Sequence, residues 1–197
     1  MISIDGMYED LLVINKSKFY AFVYPITSEE EAKEHINNLE NRFADATHVC
    51  TAYLLSSPKV EKANDDGEPS GTAGKPMLEL LKKKGLDNVL LAVVRYFGGI
   101  KLGAGGLVRA YTNAGNLVLD KAQIVEMISI EEYQVIVDIS IGNKVMETIK
   151  QGGGDVLSCK YTDKVKMNFI GYDIDKLKQI YPTIEVSHVG SRIVCQK

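Results

Sequence analysis

A chain of 197 residues is long for one compact core and comfortable for two small ones. Its formal net charge of -3 excludes a broad nucleic-acid footprint, because proteins that live on phosphate backbones carry a basic excess; any such binding must come from a few placed cations. With 45% hydrophobic residues, no apolar run long enough to span a bilayer and no basic leader at Met1, the composition predicts a soluble, cytoplasmic protein.

Tyr8 to Asn15 and Lys18 to Ile26 read as paired strands around a short polar turn. Ser28 then opens a helix with the capping-box spacing Ser28-x-x-Glu31, and Ala32, Ile36, Leu39 and Phe43 form its apolar stripe. His48 to Leu55 is the next strand. A short helix carries Pro76 in its first turn, has Met77, Leu78, Leu80 and Leu81 as its apolar side, and closes on Lys82-Lys83-Lys84 and Gly85. Val89 to Val94 is nearly continuous in apolar residues, the pattern of a central strand covered on both faces. A helix from about Gly106 to Lys121 buries Leu107, Tyr111, Ala114 and Val118 and turns Arg109, Asn113, Asn116 and Asp120 outward.

From Ile128 the texture changes. Ile130 to Ile141 reads as a strand, Asn143 to Gln151 as a helix, Asp155 to Tyr161 and Lys164 to Gly171 as a strand pair, Asp173 to Tyr181 as a helix and Ile184 to Cys195 as a last strand. This β-α-β-β-α-β order is the signature of a ferredoxin-like sandwich. The chain is therefore predicted to be α+β, with an α/β domain over 1–125 and a ferredoxin-like domain over 129–197, joined near Gln123 to Glu131. Cys50, Cys159 and Cys195 form an odd, widely spaced set without a CxxC pair, which predicts reduced thiols and neither a disulfide framework nor a zinc site.

The chemistry concentrates in two runs that hold eight of the 17 glycines: 65–76, with Gly67, Gly71 and Gly74, and 95–106, with Gly98, Gly99, Gly103, Gly105 and Gly106. The second run ends a buried strand and opens a helix, where free backbone N–H groups attract anions; Lys101 lies inside it and Arg95 and Arg109 flank it. It matches neither a Walker loop nor a complete dinucleotide fingerprint, so phosphate binding and a tight packing turn with solvated cations both fit. Asp65, Asp66 and Glu68 supply oxygen for one hard cation or, equally, side chains that accept backbone N–H groups. Arg95, ending an apolar strand, requires a carboxylate such as Asp65, Asp66 or Glu68, or a ligand. These carboxylates and Lys75 are the loop partners through which the two runs are expected to form one concave surface. His48 and Cys50 share one strand face, with no third group in sequence to make them catalytic.

The runs His48-x-Cys50-x-Ala52-Tyr53, Asp65 to Pro76 and Val94 to Tyr111 resemble the YigZ/IMPACT family, and the resemblance extends over the whole chain in the manner of its bacterial branch. It implies a first domain with the fold of the second domain of small-subunit ribosomal protein five and a ferredoxin-like second domain, the pair found in domains four and five of elongation factor G. Eukaryotic relatives are linked to translational control under amino-acid starvation, through a regulator of a stress kinase. No catalytic residue is implied, and no cofactor or metal is expected. Together these features predict a non-enzymatic, translation-associated protein that binds RNA, the ribosome or a translation factor through Arg95, Lys101, Arg109 and the glycines between them. A phosphate-handling enzyme resembling the small-molecule kinases and a pure protein-interaction module are the alternatives.

Overall fold

A computed structural model describes residues 1–195, the Cys195 side chain lying outside the described residues. The residues divide into two compact units, essentially Met1–Met127 and Ile128–Val194. No helix among the described residues is long and apolar enough to cross a membrane.

The first unit is built on an antiparallel sheet in the order β2-β3-β6-β4-β5. Strands β2 (Tyr8–Ile14) and β3 (Ser17–Pro25) form a hairpin whose turn residues, Asn15 and Lys16, both take positive φ, at 46° and 63°. Two such residues in a row match the natural twist of adjacent strands. Strand β6 (Val89–Tyr96) lies between β3 and β4 (His48–Ser56), and its residues from Val89 to Arg95 are all buried. Its apolar run is thus the centre of the sheet. The edge strand β5 (Lys59–Asn64) is not evident in the sequence because Lys59, Glu61 and Lys62 mask its alternation, as charges commonly do on edges.

Helices cover both faces. On one, α1 (Glu29–Arg42) sets Ala32 and Leu39 against the sheet, with Ile36 and Phe43 partly buried beside them. Ser28 caps it by accepting the Glu31 amide at 3.2 Å, while the Glu31 carboxylate reaches back one residue further than a standard capping box, to the Thr27 amide at 2.5 Å. On the other face lie α2 (Gly74–Lys83) and α3 (Gly103–Leu119), whose Met77, Leu81, Ala110, Tyr111 and Val118 pack over Phe19, Ala21, Cys50, Leu91 and Val93. Helix α2 closes where Lys82 to Gly85 predicts, the Leu86 amide donating to the Leu81 carbonyl at 3.2 Å. Helix α2 begins at Gly74 and carries Pro76 in its first turn, as the sequence suggests, whereas α3 begins at Gly103, three residues earlier than expected, because first-turn glycines hide a helix in a propensity reading. A short strand, β1 (Ile2–Ile4), pairs with Ile124–Glu126.

The second unit follows the order β7 (Ile124–Val137), α4 (Ile139–Gln151), β8 (Asp155–Tyr161), β9 (Val165–Ile170), α5 (Ile174–Ile180) and β10 (Glu185–Cys195). Its strands lie in the order β10-β7-β9-β8. Val135, Val137, Val165, Met167 and Phe169 occupy one sheet face and meet Val145 and Ile149 of α4 and Leu177 of α5. The division between the units, at Met127 and Ile128, falls within the expected stretch from Gln123 to Glu131, and β7 runs through it from Ile124. One expectation is corrected here: α4 begins at Ile139, so Ile139 and Ile141, read as the end of a strand, belong to its first turn. Their alternation with Val135 and Val137 is what conceals the change of period.

Leu91, fully buried on the central strand, sets the scale of core packing. Leu91→Ala is expected to cost about 2–5 kcal/mol, read as a lowered urea midpoint with an unchanged slope.

Candidate functional site

The first glycine-rich run is held by its own carboxylates. Asp65 to Glu68 form a tight turn closed by the Glu68 amide on the Asp65 carbonyl at 3.0 Å, with Asp66 and Gly67 both at positive φ, 42° and 82°. Asp65 Oδ2 accepts the Gly71 amide at 2.7 Å, and Oδ1 accepts those of Ala73 at 2.9 Å and Gly74 at 2.8 Å. Burial by itself raises this carboxyl, but the three amides outweigh it and hold Asp65 below the usual carboxylate range. The Ala73 and Gly74 donors at the start of α2 are therefore already occupied. Asp66 Oδ2 accepts the Val49 amide at 2.6 Å, and the Asp66 carbonyl lies 2.6 Å from His48 Nδ1, which fixes the proton on that nitrogen.

The same turn sends Glu68 inward. Its Oε1 accepts from Arg95 Nη1 at 2.5 Å and from the Tyr111 hydroxyl at 2.7 Å, and Oε2 lies 3.9 Å from His48 Nε2. The side chains of Glu68 and Arg95 are only 3% and 6% exposed. Arg95 stacks between Phe19 and Phe97, with its guanidinium carbon 5.4 and 5.5 Å from the two ring centres, and its Nε has no partner. Cys50 Sγ lies 3.0 Å from the Asp65 carbonyl and 3.3 Å from the Tyr111 hydroxyl. Burial pushes the Cys50 thiol up to about 12 and raises the Tyr111 phenol as well, so both stay protonated at neutral pH. A thiol in that state is a poor nucleophile.

Above this buried cluster opens a cleft of about 450 Å³, lined by His48, Glu68, Arg95, Phe97, Lys101 and Gly103 among others. Its far wall is the first turn of α3. Leu102 gives that helix no side-chain cap and the first turn holds no acid, in contrast to the Asp65-capped start of α2. Gly103, Ala104 and Gly105 are exposed, Gly103 takes a φ of 68°, and the first amides of a helix have no partner within it. Lys101 is exposed beside them and makes no ion pair among the described residues. The positive end of a helix, free amides and an unpaired ammonium together suit an anion.

The stretch that builds this cleft lies within residues 15–119, which match the Impact N-terminal domain. The chain belongs to the IMPACT family. It is 49% identical to the IMPACT family member YvyE of Bacillus subtilis over 119 residues, 60% of this chain and 55% of that one. It is 33% identical to YigZ of Escherichia coli over 151 residues, covering 75% of this chain and 74% of the relative. The chain thus spans about half the length of the Bacillus protein and three quarters of the Escherichia one. A solved structure of a protein described only as hypothetical superposes with a TM-score of 0.71 at 27% identity, covering 95% of this chain and 96% of that one.

In this IMPACT family member the two glycine-rich runs meet, through Glu68 and Arg95, and Lys101, Gly103 and the strand end of Arg95 share the cleft. Glu68 is the partner of Arg95; Asp65 and Asp66 are turned to backbone amides, and the three carboxylates do not converge on a metal position. Arg109 stands exposed on α3 outside the cleft, and Gly106 lies beneath it on Leu102. Lys75 does not reach the cleft. It lines a larger groove of about 760 Å³ between α2 and α3, with Pro76, Leu80, Lys83 and Val108. Tyr111 is legible in the sequence only as a packed helix residue; its bond to Glu68 joins strand, loop and helix and leaves no local pattern.

Two expectations test this geometry. Arg95→Met, leaving Glu68 buried without its countercharge, is expected to cost about 3–5 kcal/mol, while Arg95→Met combined with Glu68→Met recovers most of it; a urea denaturation cycle measures the coupling. Asp65 has a depressed carboxyl, so its stabilisation is present above the unfolded value near about pH 4 and is lost as pH falls through the lower folded value. Asp65→Asn is expected to lose about 1–3 kcal/mol at pH 7 and to flatten the acid limb of the stability profile.

Proposed function

We propose that this protein acts in translational control without catalysing a reaction, by binding RNA at the cleft beside the start of α3. The single observation that carries the reading is the uncapped first turn of that helix, which holds no acid, with Lys101 beside it making no ion pair among the described residues. Arg95 and Glu68 form the floor: Arg95 is neutralised by Glu68, and its role is to hold the two runs together while its ring-stacked face bounds the cleft. Arg109, outside the cleft, is a second phosphate contact further along α3. The family resemblance supplies the translational setting, in which the RNA is ribosomal or carried with a translation factor. The protonated Cys50 and Tyr111 favour binding over nucleophilic chemistry.

We further infer separate domains with the fold of ribosomal protein five domain two and of a ferredoxin-like sandwich. Supporting the second are the β-α-β-β-α-β order, the strand order β10-β7-β9-β8 and the packing of α4 and α5 into one shared core.

Lys101→Ala combined with Arg109→Ala is the test, with binding to a fluorescent RNA measured across a salt series. Affinity is expected to fall, and the slope against log salt to flatten by about 1.4 for a single strand, at about 0.7 per phosphate contact. Folding should be unchanged because both side chains are exposed. An isotherm identical to the parent's removes the site; a protein that captures a translation factor but no RNA is instead an interaction module, for which the α2–α3 groove is the place to look.

A further inference from the structure

Phe97 is the first residue past β6, and it stands at the end of the sheet between the two faces. It lines the cleft on the α3 side and, equally, a second hollow of about 230 Å³ on the α1 side, whose other walls are Lys16, Lys18, Tyr20 and Tyr96. The division follows from strand pairing. Lys18 lies opposite Tyr96 and Phe19 opposite Arg95, so alternation sends Lys18, Tyr20 and Tyr96 to one face and Phe19 and Arg95 to the other. Phe97 is 46% exposed although fully apolar, and one side of its ring is already backed by the Arg95 guanidinium.

We propose that the two hollows form one track for single-stranded RNA, with a base stacked on Phe97, one flanking phosphate at Lys101 and the first turn of α3, and the other at Lys16 and Lys18. The proposal deepens the RNA reading above and rests on it. Lys16 and Lys18 are exposed and make no ion pair among the described residues. The acids around the hollow's aromatic wall are engaged within the protein: Asp45 accepts from the Tyr96 hydroxyl at 2.6 Å, and Glu9 and Asp10, which share a neighbouring hollow with Tyr20, pair with Arg42 at 3.3 Å and Lys121 at 2.7 Å. Unpaired cations alternating with aromatic faces are what a single strand needs, since its bases are unstacked and its backbone can bend around the end of a sheet. A duplex meets neither condition: its bases are hidden and its axis is stiff.

The track is held rigid. A Cβ on Gly98 would lie 2.1 Å from the Lys16 carbonyl carbon and 2.3 Å from the Ser17 nitrogen, so only glycine lets the β2–β3 turn come this close. Gly98 N–H also donates to Ser17 Oγ at 3.0 Å, and Phe97 N–H to Thr47 Oγ1 at 3.0 Å. These contacts fix Lys16 beside Phe97 before any ligand arrives, which reduces the ordering cost of binding.

The experiment compares a dye-labelled oligouridine 12-mer with an RNA duplex of equal length, by fluorescence anisotropy on the full chain over a salt series. The single strand is expected to bind at least about tenfold more tightly than the duplex, and Phe97→Ala to weaken it about tenfold with Phe97→Tyr restoring it. Lys16→Gln with Lys18→Gln is expected to lower the single-strand salt slope by about 1.4, with the urea midpoint unchanged. Equal affinity for the duplex, or parent-like single-strand binding by both the Phe97 and the lysine variants, overturns the track. If in that case Lys101→Ala with Arg109→Ala still weakens RNA binding, the cleft stands and the track alone fails; if no RNA binds the parent, both fall.

Discussion

A guanidinium placed at the end of a central strand, with 6% of its side chain exposed, must be neutralised where it stands, and the neutralisation of Arg95 by Glu68 organises everything around it. Glu68 reaches Arg95 only because the chain reverses at Asp66 and Gly67, and that reversal holds only while Asp66 is anchored on the Val49 amide and Asp65 on the amides that start α2. The acidic run is therefore a structural device that looks like a ligand site. Its three carboxylates are all consumed internally, two by backbone and one by Arg95 and Tyr111. Arg95 Nε is a buried donor that this arrangement leaves without an acceptor among the described residues.

The two helices that meet this cluster differ in one respect, and the difference decides which can receive a ligand. At α2, Asp65 supplies the negative charge that a helix start attracts, so the position is filled by the protein itself. At α3 nothing plays that part: the cap position is Leu102, the following residues are glycine and alanine, and the adjacent charge is a lysine. The first unit thus has one closed and one open helix terminus, and only the open one lines the cleft. Small residues at the open end also let a phosphate oxygen approach the amides without steric hindrance.

The sequence made the elements with strong periodicity legible, including the central strand, the capped α1 and the packed stripe of α3, because burial imposes those patterns directly. It concealed β5 behind its charges, the start of α3 behind its glycines, and the junction of β7 with α4 behind an alternation that runs on into the helix. The pairing of Arg95 with a carboxylate was foreseeable from burial alone, yet the choice of Glu68 over Asp65 and Asp66 depends on the handedness of a four-residue turn. Tyr111, Phe97 and the lysines of the β2–β3 hairpin join the site through strand register and a close backbone contact at Gly98, over separations of 15 residues or more that no local pattern records.

The split between a rigid interior and an open rim bears on what kind of protein this is. Groups that do proton transfer or nucleophilic attack must change charge near neutral pH, and the interior of this site is arranged against that: Cys50 and Tyr111 are kept neutral by burial, while Glu68 is held in a hydrogen-bonded ion pair with Arg95. What faces the solvent is instead a set of donors, the amides of the first turn of α3 and the Lys101 ammonium. On the RNA-binding reading proposed above, such a surface gains affinity from placement and not from chemistry. A whole-molecule charge of -3 would oppose a polyanion at long range, so on that reading contact is made at short range, where Debye screening removes the distant repulsion and leaves the local cations in control.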